Sequence, residues 1–204
     1  MTFPHADAVA TATAYLSSLE TATDFKLVSS DKSLTISTKA VPNSTLPVIK
    51  AQVKITKQGV SFEDILAAFN LEGLLRKQWD QNLASAEVIE TFASNEQLIH
   101  VSQKQLNAMV SARDTSVVFK PVKESDGKGR IITTSVVDAR IPEMKGFTRA
   151  HAFLVGWVFE KTEDGGWDVT LYNHSDPKVS SFLVSKIVAG LPQLAVAFAT
   201  FINQ

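Results

Sequence analysis

The chain has 204 residues, 45% of them apolar and 20% charged, with a formal net charge of −1. That is enough for one well-buried domain, too apolar for disorder, and without the basic face of a nucleic-acid binder. Cysteine is absent, which excludes disulfides and thiolate metal sites. The opening residues, MTFPHADAVA, lack the basic and apolar regions of a secretory signal, so the expected location is cytoplasmic.

Pro4 opens an Ala/Thr-rich segment in which Val9, Ala12, Leu16 and Leu19 recur at helical spacing, predicting a helix over residues 4–20. Extended runs follow at Phe25–Ser29 and Leu34–Thr38, split by the turn composition Ser30-Asp31-Lys32-Ser33. Leu46–Thr56 alternates, with Ile49, Ala51, Val53 and Ile55 on one face, as a half-buried strand does. Ser61-Phe62-Glu63-Asp64 has the pattern of a capping box, a hydroxyl with a carboxylate three residues on. Phe62, Ile65, Leu66 and Phe69 supply the buried stripe of that helix, and a third short helix is predicted from Leu71 to Trp79. Six further strands are expected as an antiparallel meander: Ala86–Phe92, Gln97–Gln105, Ser116–Lys123, Arg130–Val137, Phe147–Glu160 and Trp167–His174. Ser94-Asn95, Asp126-Gly127 and Asp164-Gly165-Gly166 mark turns between them.

The last stretch, Ser180–Asn203, carries Lys186 as its only charge and has two adjacent apolar faces. Leu183, Ile187, Leu191, Leu194, Phe198 and Phe201 form the first of them. Three readings fit. A transmembrane span needs about 20 apolar residues, which the length just supplies, but Gly190-Leu191-Pro192-Gln193 interrupts it and no basic cluster flanks it. A core helix kinked at Pro192 is the second, and a helix closing over an apolar cavity is the third. The element order is that of one α+β domain, residues 1–204, in which a curved antiparallel sheet wraps the final helix.

Four short motifs then come in fixed order: Arg76-Lys77-Gln78-Trp79-Asp80 closing a helix, Ser111-Ala112-Arg113-Asp114 at a strand start, Ser135…Pro142…Gly146-Phe147-Thr148-Arg149-Ala150, and Asp176-Pro177-Lys178 before the last helix. Together they resemble the START (StAR-related lipid transfer) domain over nearly the whole chain. The resemblance implies a helix-grip fold: about nine strands gripping a long C-terminal helix, with one lipid in an internal hydrophobic tunnel. Family members bind sterols, phospholipids or ceramide and carry them between membranes. Sterol-carrying members have a buried acid–arginine pair, and counting outward from Arg113-Asp114 puts His100 and Phe119 in those places. On that count the pair is missing.

Taking His100 and Phe119 as inward brings Leu98 and Val117 with them. Similar counting points Ile131, Thr133, Ser135, Ala152 and Leu154 inward. With Met109 of the 106–113 loop and Leu183, Ile187, Leu191, Leu194 and Phe198 of the last helix, these are the expected ligand-binding residues. Burial of lipid surface yields about 25 cal/mol per Å², nearly what a bilayer offers, so selectivity has to come from shape and a few polar groups. His100 is the expected polar contact. Trp79 is read as packing helix on sheet, and Arg113, Asp114, Asp80 and Arg149 as structural ion pairs.

No HExxH, GxSxG, P-loop or GxGxxG motif occurs. His100, Asp114 and Ser135 could form a catalytic set only if the fold joined them. The expectation is a cytoplasmic, monomeric lipid carrier, not an enzyme, that touches membranes transiently and needs no cofactor, metal or nucleic acid. The C-terminal helix and the 106–113 loop would act as its gate. A non-transferring binder or sensor of a small hydrophobic ligand is the alternative, followed by a helix-grip enzyme.

Overall fold

The computed structural model describes residues 3–42, 44–71, 75–93, 95–105, 111–179 and 190–204. Their helices are α1 (Ala6–Glu20), α2 (Phe62–Ala68), α3 (Leu75–Trp79) and α4 (Pro192–Asn203). The strands are β1 (Lys26–Ser30), β2 (Thr35–Lys39), β3 (Val48–Ile55), β4 (Leu83–Thr91), β5 (Gln97–Gln103), β6 (Ala112–Ser125), β7 (Lys128–Ser135), β8 (Phe147–Arg149), β9 (His151–Lys161) and β10 (Trp167–Asp176).

Nine strands form one open sheet in the order β1-β2-β3-β10-β9-β7-β6-β5-β4, every neighbouring pair antiparallel. β8 lies off this path and pairs in parallel with the start of β6. The sequence predicts one strand over Phe147–Glu160. The chain instead leaves β6 after Arg149, where the Ala150 N–H donates to the Asp114 carbonyl at 2.9 Å, and then joins β7 and β10 as β9.

The two faces of the sheet carry different helices. On the outer face, Leu16 and Leu19 of α1 are buried with Ile132, Leu154, Val158 and Tyr172. Gly156 permits this approach, since a Cβ there would lie 2.7 Å from Leu16 Cδ1. On the inner face, α4 lies mainly against β3, with further contacts to β10 and α3. The predicted capping box is present: the Asp64 N–H donates to Ser61 Oγ and the Ser61 N–H to Asp64 Oδ2, tying down the first turn of α2.

Pro192 occupies the first turn of α4, where its missing N–H is not needed. At the other end, the Asn203 side-chain oxygen accepts from the N–H groups of Thr56 and Lys57, at 2.8 and 3.0 Å. The end of α4 is thereby fixed at the end of β3. No helix among the described residues is long and apolar enough to cross a membrane.

Candidate functional site: the inner wall of the sheet

Side-chain alternation makes a wall of the inner face, and its two ends differ. At the end where α4 is anchored, Phe69, Trp79, Trp157, Phe159 and Phe198 interlock, with ring centroids 5.0–6.4 Å apart. Trp79 is 3% exposed, and its indole N–H donates to the Ala68 carbonyl at 2.8 Å. It therefore packs helix against sheet, as its place at the end of a short helix predicts. Trp167 and Phe159 are fully buried in the same cluster.

Toward the other end of β3 and β10 the wall becomes polar. Val155 lies between Thr133 of β7 and Asn173 of β10, with Ile49 of β3 beyond Asn173. Asn173 is 4% exposed, and its side-chain oxygen has no hydrogen-bond partner among the described residues.

Several of the expected site residues meet on this wall. Phe119, Ile131, Leu194 and Phe198 belong to the cluster around α4, and Val117 is buried beside Ile99, Val101 and Phe119. Thr133 and Ser135 share the inner side of β7 with Ile131 by alternation. The Ser135 hydroxyl oxygen accepts from the Ala152 N–H at 2.9 Å. Leu191 directly precedes α4 and is half-buried. Met109, Leu183 and Ile187 lie outside the described residues.

The register places three others elsewhere. In the β5–β6 ladder Gln97 faces Phe119 and Ile99 faces Val117, so Leu98 and His100 point to the opposite face. Leu98 is buried with Val9 of α1. Leu154 likewise packs under α1 rather than over the inner wall. Ala152 is restored to the inner side by a bulge: the β9–β10 register slips between His174 and Ser175, so Ala152 lies opposite Ser175. The extra residue, Phe153, turns outward and stacks on His174 at 4.5 Å.

His100 has a different task from the one its sequence position suggests. Its Nε2 lies 2.9 Å from Asp114 Oδ2, and Arg149 donates to the same oxygen from Nε and Nη2, at 3.1 and 2.7 Å. Asp114 is 1% exposed. Burial alone would raise its pKa, but the bonds from Arg149 and His100 outweigh that and hold it below the ordinary carboxylate value. Arg149 also reaches the carbonyls of Ile141 and Pro142, binding the β7–β8 connection to β6. Arg76 pairs with Asp80 at 3.1 Å. Arg113 makes no such pair among the described residues: its donors go to the carbonyls of Ser111, Pro177 and Lys178, which secures the backbone just after β10. Ser135 stands on the inner side of β7, while His100 and Asp114 stand on the outer side of β5 and β6, so the fold does not join these three.

An open antiparallel sheet with an apolar inner wall and a terminal helix laid across it is the helix-grip architecture. The START domain family model matches residues 11–191, and the chain belongs to that family of lipid-binding and lipid-transfer domains. Human StAR-related lipid transfer protein 5 is similar in structure, with a TM-score of 0.79 at 16% identity over 98% of this chain and 96% of that one. Human STARD10 has a TM-score of 0.73 at 21% identity, over 91% of this chain and 78% of that one. A STAR-related lipid transfer protein fragment from Xanthomonas axonopodis gives 0.72 at 22% identity, over 88% and 99%. No curated protein matches the sequence significantly.

Proposed function

We propose that the chain, as a single domain, binds one hydrophobic lipid of the sterol or phospholipid class against the inner wall and carries it between membranes. The observation that carries this reading is the wall itself. Its apolar side chains are sealed by interlocked aromatic rings at one end and give way to uncharged polar groups at the other. An apolar surface of this kind holds a lipid about as well as a bilayer does, which suits exchange between the two.

In this reading the carrier is a cytoplasmic monomer that meets membranes only during exchange. The C-terminal helix and the 106–113 segment, whose last two residues open β6, form its gate, and the apolar pair Met109-Val110 supplies the membrane contact. The reading concerns binding and not catalysis.

Mass spectrometry of organic extracts tests it, using protein purified from cells that contain both sterols and phospholipids. One stoichiometric lipid is expected, and an empty extract from folded protein counts against the reading. A vesicle-to-vesicle transfer assay separates a carrier from a static binder, since a static binder loads but does not deliver. Replacing Met109 and Val110 with Asp should slow transfer with the fold intact. Unchanged rates would remove that loop from the gate.

A further inference from the structure

Asn173 is a polar group that neither the fold nor the neighbouring side chains account for. It lies on the same side of β10 as Leu171, Val169 and Trp167, all core residues of the inner wall. Its backbone is held between β3 and β9, opposite Ile49 and Val155. A buried amide end left without a partner costs about as much as a lost hydrogen bond, and a sheet interior position would be better filled by Val or Leu.

The inner positions around it, Leu171, Ser175, Ile49, Ala51, Val155 and Ala152, carry no charge. Arg113, a cation further along the inner side, spends its donors on backbone carbonyls. A phosphate needs cationic or multiple N–H donors, and among the described residues the inner positions around Asn173 offer none. A hydroxyl suits it: a hydroxyl can donate to the side-chain oxygen of Asn173 and accept from its amino group, and brings no charge into a neutral wall.

We infer that Asn173 is the specificity-determining contact for the polar end of the ligand, and that this ligand is a neutral lipid bearing a hydroxyl rather than a phospholipid; the inference rests on the lipid-binding reading above. The hydrocarbon part then lies along the apolar wall, and the hydroxyl stops at the Asn173 level of β10. A wall built to hydrogen-bond a hydroxyl discriminates strongly against an analogue that lacks it, because the buried amide is again left unpaired.

The test uses lipid-free protein incubated with dioleoylphosphatidylcholine vesicles. The vesicles carry equal amounts of 5α-cholestan-3β-ol and 5α-cholestane, or of 1-octadecanol and octadecane. The protein is re-isolated, and the lipid it has taken up is quantified by mass spectrometry. The wild type should favour the alcohol over its hydrocarbon by about tenfold or more relative to Asn173→Leu. The variant should load both members of a pair to similar extents.

Preference in the sterol pair alone would identify a ring lipid as the ligand, and in the alkanol pair alone a single-chain one; either supports the inference. The same preference in wild type and Asn173→Leu would overturn it, as would phosphatidylcholine uptake that falls in the variant. If no lipid of any kind is taken up, the lipid-binding reading itself fails and takes the inference with it. Thermal melting of the lipid-free proteins guards against a purely structural role. Asn173→Leu should melt at the same temperature or higher, and a clear drop would make Asn173 a fold residue and overturn the assignment.

Discussion

Asp114 shows how much one buried charge can organise. Its carboxylate holds His100 on β5 and Arg149 at the end of β8, and through Arg149 the Ile141 and Pro142 carbonyls. Removing one partner from a buried charged set leaves the others uncompensated, so Asp114→Asn should cost about 3 kcal/mol of stability, read as a lowered urea midpoint. A loss below about 0.5 kcal/mol, the range of an ordinary surface substitution, would show that the set is not coupled. The motif residues Arg149, Asp114 and Asp80 were legible as structural from the sequence, and Arg113 as structural though not as an ion pair. His100 was not, for a physical reason. Leu98, Ile99 and Val101 are all buried, on both faces of β5, so no polar–apolar alternation marks which parity looks inward. Asn173 was within reach: Trp167, Val169 and Leu171 set a period of two whose next member is Asn173. The predicted strand, Trp167–His174, contains it, but no inward face was assigned on that strand.

At the scale of elements, local chemistry located the pieces and packing decided their edges. Ser61 and Asp64 announce α2, and both halves of the capping box form. Ser61→Ala should therefore cost about 1 kcal/mol, measurable by chemical denaturation, while Ser61→Asp should retain most of the stability. The break at Ala150 was not legible, because it is made by a long-range bond to Asp114 rather than by any local turn residue. The bulge at Phe153 is a similar case, arising from a register slip against β10. The docking of α1 depends on Gly156 being small. A Cβ added there would meet Leu16 Cδ1 and Cδ2 at 2.7 and 3.2 Å, and Leu16 is fully buried. Gly156→Ala should cost about 2 kcal/mol through this overlap. In a Leu16→Ala background the same change should cost clearly less, because the clashing methyls are gone. A double-mutant cycle measures that coupling, and strict additivity would place the strain elsewhere.

At the scale of the whole molecule, the outer face couples stability to pH. His174 is 5% exposed, with Tyr15 Oη at 3.1 Å from its Nδ1 and Phe153 stacked on its ring. Burial, assisted by repulsion from His151, lowers its pKa, and burial with Lys178 nearby lowers that of His151. A histidine whose folded pKa is depressed contributes stability that is full above its unfolded value, about 6.5, and is lost as pH falls from there toward the folded value. The carboxylates of Asp114, Asp138 and Asp176 are also held low, each by bonds from neighbouring basic or N–H groups that prevail over burial. Their contribution is full above an unfolded pKa of about 3.9 and is lost only below it. Stability should therefore be flat above about pH 7, decline as pH falls below the unfolded histidine value of about 6.5, and fall again below about pH 4. His174→Gln should flatten the first decline while leaving the second in place, and adding His151→Gln should flatten what remains of it. Urea titrations at half-unit pH steps read both limbs. An unaltered first decline in the double variant would mean that neither histidine is held neutral by the fold, and that the outer face under α1 tolerates an imidazolium.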